Sequence, residues 1–447
     1  MRAMRTGSRR FTLLLACVLL AGCSFLAPPG IEPPSDATAP FEGPALLLRS
    51  ASVMTAAGPT LERADVLVIG SRIAAVGAGL EPPAGALIVD AADRWITPGL
   101  IDVHSHMGVY PAPRTRAHLD GNEATGPFKP EVRAEESFWP QDPALRRAVA
   151  GGVTTIHVLP GSANLVGGQG VTLRLKPALS AAAMRFEGAP TTMKMACGEN
   201  PKRVYGTRKK TAPATRMAEV AMLRQKLAEA ASYERKPGKA ENYASRALRD
   251  VVEGVILIQN HCYRADEMLL RLQLFAEFGI APRAFHHAIE AYKIRNELAQ
   301  AGVGAAVWVD WWGSKMEMLD AVPANAALLD AAGVTVAIHS DSSLDVQRLN
   351  QQAAKARAAG LRIGLDVDRD RAIRWVTANP AWLLGLEERV GTLEPGREAD
   401  LVVWSGDPFS VYSRADLVFI AGDLVYDRAQ PSTLPPSDFE LGTGARP

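Results

Sequence analysis

The sequence predicts an α/β protein: a (β/α)8 barrel of the TIM type with a small β-sandwich built from both chain ends. Three observations predict it. Over residues 97–385, short apolar runs such as TTIHVLPG, VILIQNHC, AAVWVDWW and TVAIHSDS alternate with helical patterns. Repeated strand–helix alternation makes a parallel sheet, and eight such units close it into a barrel. Residues 45–96 carry strand texture alone, in ALLLRSASVMT, ADVLVIGSRIAAVGAG and ALIVDAADRWITPG, and a similar texture returns over 386–430 in GTLEPGREADLVVWSGDP and ADLVFIAGDLVYDR. A chain of 447 residues has room for both units.

The N-terminus stands apart from this plan. MRAMRTGSRR is basic and FTLLLACVLLA is apolar, too short to span a membrane and remain there. Residues 1–22 end in LAG before Cys23, which resembles a bacterial lipoprotein signal. That resemblance implies that Cys23 is lipidated and becomes the new N-terminus. Ser24 resembles the outer-membrane sorting choice, which makes the expected product an anchored lipoprotein facing the periplasm. The alternative is an ordinary secretory signal with an incidental cysteine. Residues 23–44 are rich in Pro, Ser and acidic residues and form a tether, and 431–447 form a tail. The net charge of +1, without a basic stripe, excludes a nucleic-acid footprint.

The strand at WITPGLIDVHSHMG raises the chemical question. Leu100, Ile101 and Val103 follow a Pro-Gly turn, and His104 and His106 then lie two residues apart. Residues i and i+2 of a strand share a face, so the two imidazoles can hold one metal ion; the plain alternative is a solvated pair. Other polar groups end other apolar runs: His261 in VILIQNH, His287 in RAFHHA, Asp341 in VTVAIHSD, and Lys194 or Glu199 in TTMKMACGEN. The C-terminal ends of barrel strands are where active sites of this architecture sit.

PGLIDVHSHMG, NHCYRADEM, HHAIEAYK, IHSDSS, TANPAWLLGL and GTLEPGREADLVVW together resemble the metal-dependent amidohydrolase superfamily, nearest to its imidazolonepropionase-like group. The resemblance covers nearly all of residues 45–428. It implies one or two divalent ions, with zinc the expected metal. His104 and His106 would bind the more buried ion, His261 and His287 would be the fifth- and sixth-strand histidines, and Asp341 would touch both metal and attacking water. The bridging position has two candidates: Lys194, carrying a carboxylate group, or Glu199. The turn GENP, placing Glu199 beyond the strand, favours Glu199. The implied activity is hydrolysis of a carbon–nitrogen bond in an amide or cyclic amide, with Asp341 as general acid and base. Rival readings are a deaminase, an N-acetyl-sugar deacetylase, and a lipoprotein that binds without catalysis.

Tyr263, Arg264, Asn200 and Arg203 are candidates for holding a small-molecule substrate, with surface ion pairing as the alternative; arginine suits a carboxylate. Trp308, Trp311 and Trp312 suggest an apolar wall or ordinary core. His157 and His339 are expected to be pocket or core residues rather than ligands. SANLVGGQG is expected to be a loop near the site. Residues 207–250, charged and helical, interrupt the barrel as a lid, a subunit contact of a homo-oligomer, or a solvated excursion. Cys197 and Cys262 can pair in an oxidising compartment, but buried free thiols are the plainer expectation.

Overall fold

The computed structural model describes residues 43–430, apart from 235–237 and 239. The signal segment, Cys23, the tether through residue 42 and the tail 431–447 lie outside the described residues. Among the described residues, no helix is long and apolar enough to cross a membrane.

Five strands come first: β1 (Ala45–Val53), β2 (Leu61–Ile69), β3 (Arg72–Gly77), β4 (Leu87–Asp90) and β5 (Trp95–Pro98). Eight more form the barrel: β6 (Leu100–Ser105), β7 (Val153–Val158), β8 (Val166–Arg174), β9 (Thr192–Ala196), β10 (Leu257–Cys262), β11 (Ala284–His287), β12 (Gly304–Val307) and β13 (Val336–Ile338). The chain then returns through β14 (Leu401–Trp404), β15 (Ala415–Ile420) and β16 (Asp423–Asp427).

The two ends meet where β14 pairs antiparallel with β5. The result is a single hydrogen-bonded sheet, β16-β15-β14-β5-β1-β2-β3. It branches at β1, because β4 and β5 pair in parallel with successive stretches of that strand. Alternate residues Leu46 and Leu48, Val66 and Val68, and Leu401 and Val403 put their side chains into one buried cluster with Ile73 and Phe419. The buried Trp404 donates its Nε1–H to Thr97 Oγ1 at 2.9 Å, fastening β14 to β5.

The barrel strands follow one another in chain order. Its first and last strands are joined by the Asp341 N–H donating to His104 C=O at 3.2 Å and the Ser340 N–H donating to the Asp102 carboxylate at 3.1 Å. Along β6, Ile101 and Val103 pack into a cluster with Ala306, Ala337 and Leu383, while Asp102 and His104 take the opposite face.

One barrel strand departs from the expected all-parallel pattern. β8 runs antiparallel to both β7 and β9. Residues 159–165 link it to β7 without a helix, and a parallel crossover needs a dozen or more residues. SANLVGGQG is therefore only partly a loop, since β8 begins at Val166. A Cβ at Gly170 would stand 2.6 Å from Thr192 Oγ1, so close packing requires glycine there.

The segment 207–250 is not a solvated excursion. Its helices Arg216–Ala231 and Tyr243–Val252 bury Leu223, Leu227, Leu248 and Val251 against Met193, Met195 and Ile258 of the barrel. Cys197 and Cys262 form a disulfide with a Cα–Cα distance of 5.3 Å, correcting the expectation of free thiols. Its cause is register: His261 of β10 lies opposite Ala196 of β9, so the next residue of each strand stands beside the other.

Candidate metal centre

Four donor atoms converge at the C-terminal end of the barrel. His104 Nε2 lies 3.4 Å from His106 Nε2 and 3.2 Å from Lys194 Nζ. His106 Nε2 lies 3.3 Å from Asp341 Oδ1. Donors about 2.1 Å from one tetrahedral ion stand about 3.4 Å apart, so these separations fit a single cation. Asp341 holds its place with φ at 48°, and His287 with φ at 68°. Both are left-handed conformations that side-chain-bearing residues rarely adopt, and such strain gathers at functional sites.

Hydrogen bonds fix the histidine tautomers so that lone pairs face this point. The His106 ring donates from Nδ1 to Leu159 C=O at 2.7 Å. Behind His104 runs a chain of three side chains. Gln259 donates its amide N–H to Leu383 C=O, turning its Oε1 toward His286 Nε2 at 2.6 Å. The His286 ring must donate there, so its Nδ1 accepts from His104 Nδ1 at 2.8 Å. His104 is left with an unprotonated Nε2. This separates the two neighbouring histidines of β11: His286 orients His104, while His287 faces the open side. Burial, aided by Lys194, pushes His106 down to about 3, so its ring stays neutral.

Lys194 is 1% exposed. Burial lowers its pKa against the pull of Asp341, and burial raises Asp341 against the pull of Lys194. Three further imidazoles surround the space beyond. His261 and His287 have ring centroids 4.5 Å apart, and His339 lies 5.0 Å from both His104 and His287. His261 Nδ1, His287 Nδ1 and both nitrogens of His339 are buried without a hydrogen-bond partner in the protein. Such orphaned donors and acceptors cost about 1–3 kcal/mol each unless something satisfies them, and a cation does so. The site residues therefore fit a metal.

The amidohydrolase family model matches residues 233–426. An amidohydrolase of Thermotoga maritima MSB8 has a crystal structure superposing with a TM-score of 0.79 at 35% identity, over 86% of this chain and 100% of that one. The chain belongs to the metal-dependent amidohydrolase superfamily. It is therefore a metal-dependent hydrolase of carbon–nitrogen bonds. It is also 33% identical over 378 residues to amidohydrolase tasK of Hapsidospora irregularis, covering 78% of this chain, and it spans 38% of that relative's length. It is 26% identical to an imidazolonepropionase of Mesorhizobium japonicum over 76% of this chain and 83% of the relative.

Within this hydrolase several expected site residues take other places. Glu199 does not reach the histidines. The chain turns at Gly198, with φ at 85°, and Glu199 opens a helical turn whose carboxylate lies 3.6 Å from Lys315. Lys194, inside β9, is the candidate bridging side chain that faces His104. Arg264 turns outward, and its Nε and Nη2 donate to Asp266 at 2.9 and 2.8 Å. Asn200 does reach the site. Its Nδ2 lies 2.8 Å from Ser162 Oγ and 3.4 Å from His261 Nε2, and its Oδ1 accepts from Arg203 and Lys315, each at 3.2 Å. The Tyr263 ring packs edge-on against His261 and flat against His287, and burial pushes its phenol pKa up. Trp308 stacks on His287 at 4.2 Å and on Trp311 at 4.5 Å, which builds the apolar wall. Trp312 is 66% exposed and no part of it.

Three side chains were not legible as part of the site. Lys315 carries no motif. Asp102 reveals its role only through its bonds to Ser340, which tie β6 to the strand end bearing Asp341. Arg216, in the expected insertion, binds the carboxylates of Glu267 and Glu317. Glu317 accepts from the Glu199 N–H at 3.0 Å and Glu219 from the Gly198 N–H at 2.9 Å, so this network grips the turn that carries Asn200.

Proposed function

We propose that the chain hydrolyses an amide or cyclic amide, with a divalent ion between His104, His106, Asp341 and Lys194, and with His261 and His287 on the open side. The single observation that carries this reading is the run of 3.2–3.4 Å separations that links Lys194 Nζ to His104 Nε2, His104 Nε2 to His106 Nε2 and His106 Nε2 to Asp341 Oδ1. Imidazole and carboxylate donors suit zinc. Burial keeps Lys194 inclined to the neutral amine, which would offer its lone pair, or a carboxylate formed on it by carbon dioxide, to the ion.

When bound, the ion supplies the Lewis acidity that makes water nucleophilic near neutral pH and polarises the scissile carbonyl. Asp341 accepts the proton of the attacking water at its carboxylate and returns it to the departing nitrogen. Tyr263 keeps its phenolic proton and offers it to the substrate as a neutral donor. Asn200 orients the substrate beside His261, and Trp308 with Trp311 excludes water from one side.

The export reading belongs to the same proposal. The protein passes into an oxidising compartment and is anchored through lipid on Cys23, facing the periplasm from the outer membrane. The Cys197–Cys262 disulfide supports it, because such bonds persist outside the cytosol.

A panel of acylated amino acids, dipeptides, cyclic amides and ring amines, assayed with added zinc, tests the activity. Release of a carboxylate and an amine is expected from the amides. Ammonia released from a ring amine alone would place the chain among deaminases, and no turnover with metal bound would make it a binding protein. Mass spectrometry of the protein from membranes tests the anchor: a diacylglyceryl adduct on Cys23 is expected, and a free Cys23 in a soluble protein contradicts it.

A further inference from the structure

We propose that Arg216 is a positioning residue for the substrate: from the segment 207–250 it holds together the three loops that carry Asn200, Tyr263 and Lys315, and so sets how tightly the mouth of the barrel grips its substrate. The inference rests on the hydrolase reading above and gives that segment a part in it.

The three loops leave three different strands. Asn200 lies in the turn after β9, two residues beyond Gly198. Tyr263 follows β10 and precedes the helix Ala265–Ala276, which carries Glu267. Lys315 lies in the loop after β12, two residues before Glu317. Their side chains meet. Lys315 Nζ stands 4.2 Å from the centre of the Tyr263 ring and 3.2 Å from Asn200 Oδ1, and Asn200 Nδ2 stands 3.4 Å from His261 Nε2. All three residues lie past the ends of their strands, so the barrel's ladder of hydrogen bonds does not fix them.

Charge fixes them instead. Behind the three side chains, the carboxylates of Glu267 and Glu317 are 7% and 4% exposed. Arg216, the first residue of the helix Arg216–Ala231, forks between them and donates from Nε to Glu267 and from Nη2 to Glu317. Glu317 accepts the Glu199 N–H at 3.0 Å, and Glu219, three residues beyond Arg216, accepts the Gly198 N–H at 2.9 Å. The turn lies so close to this cluster that a Cβ at Gly198 would stand 2.8 Å from Glu317 Oε1 and 3.0 Å from Glu267 Oε2. The other cation of the cluster, the buried Arg271, donates from Nη2 to Ala196 C=O at 3.1 Å.

Without Arg216, Glu267 and Glu317 face each other beside the turn and lose the cation they share. Buried like charges repel, and unpairing a buried ion costs more than the pair contributes. Parting of the loops relieves the repulsion and carries Asn200, Tyr263 and Lys315 out of register with the substrate. His104 and His106 stand at the end of β6 and Asp341 after β13, and neither strand end carries a member of this cluster. The loss therefore falls on substrate binding rather than on the metal.

The test is steady-state kinetics of the zinc-loaded protein on the substrate that the native chain turns over fastest, with zinc counted by elemental analysis in each sample. Arg216→Met should raise KM about tenfold or more, with kcat and zinc content near native. Arg216→Lys keeps the charge but loses the fork, and should raise KM less. Adding Glu317→Gln to Arg216→Met removes one of the facing charges, while the amide oxygen still accepts the Glu199 N–H, and should bring KM back toward native. A native KM in Arg216→Met overturns the proposal. So does a loss of kcat and zinc in step with KM, or a double variant with no recovery. Should Arg216→Met fail to fold, Arg216→Lys decides: a raised KM at native kcat upholds the proposal and a native KM overturns it. No turnover by the zinc-loaded native protein overturns the hydrolase reading and this proposal with it, whereas turnover with a KM indifferent to Arg216 overturns this proposal alone.

Discussion

The mouth of the barrel and the groove on the small sheet make an instructive pair. The groove is roomy, at about 970 Å³, and is lined by Leu46, Val68, Val89, Phe419 and Leu424 with a few charges. Most of those charges are paired: Lys176 with Asp423 at 2.7 Å, and Arg428 with Asp416 at 2.7 Å. The mouth instead crowds buried nitrogens together and leaves several without partners. Unsatisfied polar atoms mark the mouth. The chemistry belongs where folding has left strong donors and acceptors waiting for an ion and a substrate.

The comparison breaks first if His104 proves dispensable. His104→Ala removes the residue common to both ligand groups, His104 with His106 and Asp341 and His104 with His287 and His339, so metal content and turnover should both collapse, read by elemental analysis beside the amide assay. Asp341→Asn separates chemistry from binding: turnover should fall by about 10²–10⁴-fold, with most of the metal retained. A smaller effect sharpens the role of the hydrogen-bond chain. Gln259→Leu frees the His286 ring and with it the His104 tautomer, and should cost about 10–100-fold in metal affinity or activity. An unchanged zinc affinity would leave that chain with a packing role alone.

His104 and His106 were legible because a strand's period of two places them on one face, and His261, His287 and Asp341 because each closes an apolar run. The bridging position stayed open between Lys194 and Glu199, with Glu199 favoured. Residue type alone cannot separate a lysine inside β9 from a glutamate two residues beyond a turn at Gly198, and only backbone direction sends Glu199 to Lys315. Between the two readings of Arg264, its neighbour Asp266 favours the surface ion pair. That both ring nitrogens of His339 lack a partner in the protein is a property of three dimensions. The barrel was legible from strand–helix rhythm, but the antiparallel β8 was not, because its glycines suggested a loop.

Removing the disulfide, as in Cys197→Ser with Cys262→Ser, should lower stability by about 2–4 kcal/mol, seen as a lower Tm in non-reducing buffer. Glu219 is a buried carboxyl pushed up to about 7 from 4.5. The unfolded chain ionises first, so stability should fall as pH rises through 4.5 to 7 and then level off. Glu219→Gln should flatten that slope in urea titrations across the window. At the other region, Leu424→Ser alters the groove wall and should leave turnover unchanged, with a stability shift within about 0.5 kcal/mol.

The central claim is that buried side chains of separate barrel strands share a cation that makes water reactive. The most direct measurement is turnover of the purified protein before and after dialysis against a chelator, with metal counted in each sample. The account predicts that activity disappears with the transition metal and returns when zinc is restored. Full turnover by a protein free of transition metal would contradict it.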